Sequence, residues 1–377
     1  MESGQIIRLH ARSKIALSLA KEALVSAGGV SNTTGFLFPL HPRSVEREHQ
    51  KAKELWLPVE ETVVELAAPR HPHADHSPQE KSSFNASLYF QSLESDFLGQ
   101  AVLFAQRIPS TVHIVDRLAG LSADSIGIVA VAAQQTSGKG RTGNVWESPL
   151  GCAMFSFPLT IPLSSKLGQG LTFVQHLVAT ACVLGVRNTP GFEDVDLRIK
   201  WPNDILTSDK IKVGGVLVTS SIFRDKATCN VGIGVNISNS EPTTCLNDLI
   251  CATNESRKTK LEPFTIERFI ARTLTELERL LKSFAALGAQ AFLPTYLKYW
   301  LHMNQEVNIQ LSEDAVTDSH ATTEPTEQTE QTTGQIVGLD EHGFLQVKVA
   351  NGEQWSVQSD GNRFDMMANL LRLRKIS

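Results

Sequence analysis

Three glycines interleaved with two cations, Gly138-Lys139-Gly140-Arg141-Thr142-Gly143, follow the apolar run Ile128-Val129-Ala130-Val131-Ala132. Glycine lets a backbone approach a ligand closely, and a lysine and an arginine beside it can meet phosphate or carboxylate oxygens. This is not a Walker A loop, because glycine rather than serine or threonine follows Lys139. Further along come Lys200-Trp201-Pro202-Asn203-Asp204, Lys210-Ile211-Lys212-Val213-Gly214-Gly215 and Gly232-Ile233-Gly234-Val235-Asn236. Proline in the first of these ends a strand ladder and turns Asn203 and Asp204 toward whatever lies at the strand's end. Lys212 precedes two glycines that leave room for a ligand against the backbone. Taken singly, each segment also reads as something ordinary: a flexible basic turn, an edge-strand turn, a solvated lysine. Together they look like parts of one nucleotide-handling site.

In this order and spacing the segments, with Gln135 before the loop and Trp146 after it, resemble the active-site motifs of biotin–protein ligases, and the surrounding text resembles the animal holocarboxylase synthetases. The family's loop reads Gly-Arg-Gly-Arg; Lys139 here keeps the charge of the first arginine and loses its forked geometry. The resemblance implies a reaction in which biotin and Mg-ATP give biotinyl-AMP, after which biotin passes to a lysine of a carboxylase. It implies catalytic roles for Lys212, Arg141 and Asp204. Biotin contacts would come from Ser110, Thr111, Gln135, Lys139, Gly140, Arg141 and Lys212, and nucleotide contacts from Lys139, Arg141, Trp146, Asn203 and Asn236, with Asn236 also at the magnesium. Ser110-Thr111 match the family's Ser-Thr-Asn contact, with Val112 where bacterial members carry asparagine. The glycine loop is expected to fold as a lid over bound ligand. The implied partners are the biotin-acceptor domains of acetyl-CoA, propionyl-CoA, pyruvate and methylcrotonyl-CoA carboxylases. Asn239 to Asp248, Phe264 to Trp300 and Asp360 to Asp365 extend the likeness over residues 84 to 377. Two other readings stay open: a lipoate ligase or octanoyltransferase on the same fold, and a pocket kept without turnover. The Gly-Lys-Gly-Arg loop favours biotin over the first, and the joint presence of Lys212, Asp204, Arg141 and Asn236 speaks against the second.

The elements that must position these residues are legible as periodicities. A strand at Val102-Leu103-Phe104-Ala105 runs into a turn at Pro109-Ser110-Thr111, where either hydroxyl could cap a helix. Phe173, Leu177, Ala181 and Leu184 share one helical face, while Leu197, Ile199 and Trp201 alternate as in a strand. Val216-Leu217-Val218 and Val231 to Ile237 give two more strands. Two helices are written by Ile266, Phe269, Ile270, Leu274, Leu277, Leu281 and Phe284, and by Phe292 to Trp300. Beyond residue 304, short strands at Val307 to Leu311, Ile336-Val337, Phe344 to Val347 and Trp355 to Val357 suggest a small barrel. The expected class is α+β. By resemblance it is the mixed sheet with helices of the class II aminoacyl-tRNA synthetases and biotin ligases, followed by an SH3-like barrel. The expected division is an extension over 1–85 with a poorly ordered Pro/His-rich linker at 71–78, a catalytic domain over 86–303, and a barrel over 304–377. An acidic loop falls within the barrel at 312–334, its Thr/Glu/Gln tract at 322–333 reading as disordered.

The formal charge of -5 is concentrated in that loop, which carries Glu313, Asp314, Asp318, Glu324, Glu327 and Glu330 and neither lysine nor arginine. The remainder has no basic excess, so no nucleic-acid partner is expected. No apolar run reaches the roughly 20 residues of a membrane-spanning helix, and no membrane partner is expected. Cys152, Cys182, Cys229, Cys245 and Cys251 form no C-x-x-C pair and read as free thiols of a reducing compartment. Arg8, Arg12, Lys14 and Lys21, with Glu2 the lone acid ahead of Glu22, fit a mitochondrial presequence or a surface helix. A cytoplasmic location, with a mitochondrial one beside it, is the expectation.

Overall fold

The protein is described from a computed structural model, which covers residues 84–118, 127–312, 330–359, 362–366 and 368–374 together with the backbone of strands 5–11 and 60–66. Strands β1 (Gln5–Ala11) and β2 (Glu60–Leu66) are followed by helix α1 (Ala86–Ser92), β3 (Ala101–Ile108), helix α2 (Thr111–Leu118) and β4 (Ile128–Gln135). A two-stranded ribbon of β5 (Gly138–Lys139) and β6 (Val145–Trp146) precedes β7 (Cys152–Pro162) and helix α3 (Phe173–Arg187). Short strands β8 (Arg198–Lys200) and β9 (Asp204–Leu206) lead to the long hairpin β10 (Lys212–Phe223) and β11 (Lys226–Asn236). Helices α4 (Leu246–Arg257), α5 (Ile266–Leu287) and α6 (Ala289–Tyr299) complete this unit.

Nine strands form one mixed sheet in the order β2-β1-β3-β4-β7-β11-β10-β9-β8. Only β3 and β4 run parallel in it, and α2 lies on the crossover between them, as parallel neighbours require. α3 is buried nearly all round, from Phe173 through Val186, because the sheet lies on one side of it and α5 and α6 on the other. Each large aliphatic side chain sequestered in this way contributes about 1.5–3 kcal/mol of transfer free energy. α5 carries the amphipathic stripe expected of it, with Phe269, Ile270, Leu274, Leu277 and Phe284 inward.

The C-terminal unit is a six-stranded sheet in the order β15-β14-β13-β12-β17-β16. Its strands are β12 (Glu306–Ser312), β13 (Glu330–Leu339), β14 (Leu345–Val349), β15 (Gln354–Val357), β16 (Arg363–Asp365) and β17 (Leu370–Arg374). It docks on the first unit through the β13–β14 turn: His176 on α3 meets the Gly343 carbonyl at 2.8 Å, and the Thr172 hydroxyl donates to the His342 carbonyl.

Two expectations are amended. Residues 5–11 are a strand and not part of a surface helix, and both they and residues 60–66 belong to the main sheet, where β1 pairs antiparallel with β3. The tract read as disordered to residue 333 is ordered from Glu330, where β13 begins against β12. The linker at 71–78 and residues 313–329 of the acidic loop lie outside the described residues.

Candidate active site

The β10–β11 hairpin makes a floor almost free of side chains, because Gly215 stands opposite Gly234 and Leu217 opposite Gly232. No larger residue fits at Gly214, where a Cβ would lie 2.8 Å from the Gly234 carbonyl oxygen. Above this floor opens a cavity of about 520 Å³. It is lined by Ser110, Thr111, Gln135, Lys139, Gly140, Arg141, Trp146, Asn203, Asp204 and Lys212, so residues from separate stretches of chain converge.

Two lysines share the carboxylate of Asp204. Lys212 Nζ lies 2.7 Å from Oδ1 and Lys200 Nζ lies 3.1 Å from Oδ2. Lys212 is the more exposed of the pair, with 43 % of its side chain open against 21 % for Lys200, so it is the cation offered to a ligand. Its ammonium also sits 5.5 Å from the centre of the Trp146 ring. Lys200 stands inside the Lys-Trp-Pro-Asn-Asp motif, yet nothing in its spacing announced the pairing. The Trp201–Pro202 peptide is cis, and Asn203 Nδ2 donates to the Val216 carbonyl at 2.7 Å, which pins the turn to β10.

The glycine loop forms a short ribbon with backbone hydrogen bonds of its own. Gly138 pairs with Trp146 and Lys139 with Val145, and the Gly140 N–H donates to the Asn144 carbonyl at 2.7 Å. Its stem is anchored by Thr136 and Ser137, whose N–H groups donate to Ile108 and Pro109. Arg141 reaches across to the C-terminal unit, where Nη2 donates to the Ser359 carbonyl at 2.9 Å. Ser359, Asn362 and Phe364 therefore form one wall of the cavity, a contribution that local sequence could not announce.

At the far end Gln135 Oε1 accepts from the Thr111 N–H at 2.7 Å and from the Thr111 hydroxyl at 3.1 Å, while its Nε2 donates to Ser148. The Thr111 hydroxyl also bonds Ser156 at 2.7 Å; it faces this polar end of the cavity instead of capping α2. Ser156 was missed, although a serine inside the apolar run Met154-Phe155-Ser156-Phe157 was a visible signal.

Asn236 is the exception among the expected contacts. It does not line the cavity, and its amide is committed to Thr243 Oγ1 at 3.2 Å and the Thr244 carbonyl at 3.1 Å, with Asn239 donating to its Oδ1. Thr243 in turn donates to the Lys212 carbonyl at 2.7 Å, so Asn236 fixes the chain that carries Lys212. Both ends of its side-chain amide are thus engaged within the protein, and among the described residues no three His, Cys, Asp or Glu side chains gather to hold an ion. All five cysteines are free, and four are buried while Cys251 is exposed. Burial raises the Cys152 and Cys182 thiols to about 12, so neither is a nucleophile.

Taken together, the arrangement can bind two anionic groups side by side, with three cations, Lys139, Arg141 and Lys212, on their flank. Comparison with known proteins points the same way. The model of the Biotin/lipoate A/B protein ligase family matches residues 104–237, and that of the Biotin protein ligase C terminal domain matches 325–366. The human biotin–protein ligase is 43 % identical over 76 % of this chain, which spans 37 % of the human protein's length. Biotin–protein ligase 1, chloroplastic, of Arabidopsis thaliana is 33 % identical over 78 % of this chain and 75 % of its own length. Among solved structures, the biotin protein ligase of Aquifex aeolicus in complex with biotin and ATP has the same fold, with a TM-score of 0.50, 23 % identity, and coverage of 68 % of this chain and 95 % of that one.

Proposed function

Because this chain belongs to the biotin–protein ligase family, we propose that it activates biotin with ATP and attaches it to a lysine of apo-carboxylases. A carboxylate oxygen of biotin attacks the α-phosphorus of ATP, pyrophosphate leaves, and a mixed anhydride, biotinyl-AMP, remains. The ε-amine of an acceptor lysine, in its neutral form, then attacks the anhydride carbonyl; AMP departs, an amide forms and one proton is released. The observation that carries this reading is the Lys200–Asp204–Lys212 cluster, which lines one cavity together with Arg141 and the glycine floor. Two anions repel each other in water, and fixed cations both cancel that repulsion and stabilise charge spreading over the α-phosphate oxygens.

The polar end at Ser110, Thr111, Gln135 and Ser156 supplies donors and acceptors suited to a ureido ring, and the wall of Trp146 and Ile233 suits an aliphatic tail. Lys139 and Arg141 suit the phosphates. Asp204, held between two lysines, keeps Lys212 aimed; its proposed action on the incoming amine belongs to the second half-reaction. Magnesium belongs with the nucleotide as Mg-ATP, since the described residues gather no acidic cage for it. The acceptors are the biotin domains of acetyl-CoA, propionyl-CoA, pyruvate and methylcrotonyl-CoA carboxylases, which places the chain's work in cytosol and mitochondrion. The match over 325–366 favours biotin over lipoate. The test is a mass shift on an isolated acceptor domain incubated with the chain, ATP and either biotin or lipoate. A shift with biotin alone supports the reading, and a shift with lipoate alone overturns it.

A further inference from the structure

One buried side chain, outside the cavity, ties the turn that bears Lys200 and Asp204 to the C-terminal unit. His302 follows α6 and has no solvent exposure. Its Nε2 accepts from the Trp201 main-chain N–H at 3.0 Å, and its Nδ1 lies 2.8 Å from Gln305 Oε1. Gln305 Nε2 donates onward to Asn369 Oδ1 at 2.8 Å. The ring packs edge-on against Phe364, part of the cavity wall, at 5.1 Å between centroids.

A main-chain N–H can only donate, so Nε2 must offer its lone pair and Nδ1 must carry the proton given to Gln305. A second proton, on Nε2, would set two donors against each other. Burial acts in the same direction: it lowers the imidazole to about 4, with Lys200 and Lys210 nearby opposing a further positive charge.

We propose that His302, as the neutral tautomer protonated at Nδ1, is a positioning residue of the ligase reaction, holding the Lys200–Trp201 peptide so that Lys200, Asp204 and Lys212 stay aimed at the reacting phosphate. This rests on the ligase reading. The peptide it holds leads directly into the Lys200 side chain, which meets Asp204 at 3.1 Å, and Asp204 meets Lys212 at 2.7 Å. Without the acceptor, a buried N–H is left unpaired and the turn relaxes to satisfy it. A displacement of about 1 Å at a reacting centre costs on the order of a hundredfold in rate.

Two substitutions separate positioning from packing. The amide of His302→Gln reaches the place of Nε2 and keeps an acceptor for Trp201, whereas that of His302→Asn reaches only the place of Nδ1 and keeps the bond to Gln305. In biotin-dependent ATP–pyrophosphate exchange, H302Q is expected to retain kcat within about threefold and H302N to lose about a hundredfold, with the KM for biotin little changed in either. Hydrogen exchange at the Trp201 amide is expected to accelerate in H302N alone. Nitrogen NMR of the unaltered chain is expected to find Nε2 unprotonated at neutral pH, a measurement that needs no variant to fold. Equal losses in the two variants, the reverse order, wild-type rates in H302N, or a protonated Nε2 each overturn the proposal. Absence of biotin-dependent exchange in the unaltered chain counts against the ligase reading alone, because the nitrogen spectrum and the Trp201 amide judge the contact without turnover.

Discussion

The guanidinium of Arg141 donates to the main-chain carbonyl of Ser359 at 2.9 Å, which clips the glycine ribbon of the catalytic unit to the C-terminal one. A loop with glycine at 138, 140 and 143 is costly to hold in one place, and this contact supplies a fixed point at its tip. The second unit thereby closes the cavity rather than merely following it in the chain.

Removing that clip frees the ribbon. In Arg141→Ala the activated intermediate is expected to escape, with free biotinyl-AMP in solution rising about tenfold over the unaltered chain when no acceptor is present. Arg141→Lys keeps the charge without the fork and is expected to fall between. Chromatography of labelled biotin products reads the outcome, and unchanged retention in Arg141→Ala would show that the loop does not act as a lid.

Lys212→Ala removes the most accessible cation of the cluster and is expected to slow adenylate formation by about a hundredfold. Asp204→Asn leaves both lysines without a charged partner, and we expect a loss of about tenfold in the same half-reaction. Pyrophosphate exchange measures both. If Asp204→Asn were impaired in transfer alone, the carboxylate would be acting on the acceptor amine and not on Lys212.

At Gly234 the nearest neighbours of an added Cβ all belong to Trp146, the indole Nε1 at 2.5 Å. Gly234→Ala is therefore expected to push the indole off the cavity floor and weaken biotin binding by about tenfold, with little change in Tm because the indole sits on the ribbon and not in the core. Calorimetric titration with biotin, beside a thermal melt, checks the split.

His176 and His302 are both lowered to about 4, in each case first by burial. The unfolded chain titrates them near 6.5. Between those two values the unfolded state binds protons that the folded state refuses, so this contribution to stability is whole above about pH 6.5 and is lost progressively as pH falls toward 4. Each histidine contributes at most on the order of 3 kcal/mol. Urea midpoints measured from pH 7.5 down to 5 are expected to fall, and His302→Gln is expected to flatten the slope by about half.

The motifs could be read in the sequence because each is a short local string whose glycines and cations speak for themselves, and the helices because their apolar residues recur at helical spacing. What could not be read depends on partners distant in the chain. Lys200 sat in a quoted motif, but its pairing with Asp204 depends on how the turn at Pro202 folds back. His302 stands alone with no spacing to mark it, and Phe364 and Ser359 reach the cavity only once the second unit has docked. Asn236 has a tie of the same distant kind: its side chain turns into the following segment and supports Lys212 through Thr243, which its place at a strand end does not announce.

β3 is buried along most of its length and has β4 on one flank and β1 on the other. A fragment trimmed just ahead of residue 84 would bare the β1 flank of Ala101–Ile108, a row of unsatisfied amides and carbonyls open to any passing strand. Such fragments would recruit one another into oligomers or precipitate. Strand β1 thus serves as a cover for the buried strand β3, handing the sheet's open edge to β2.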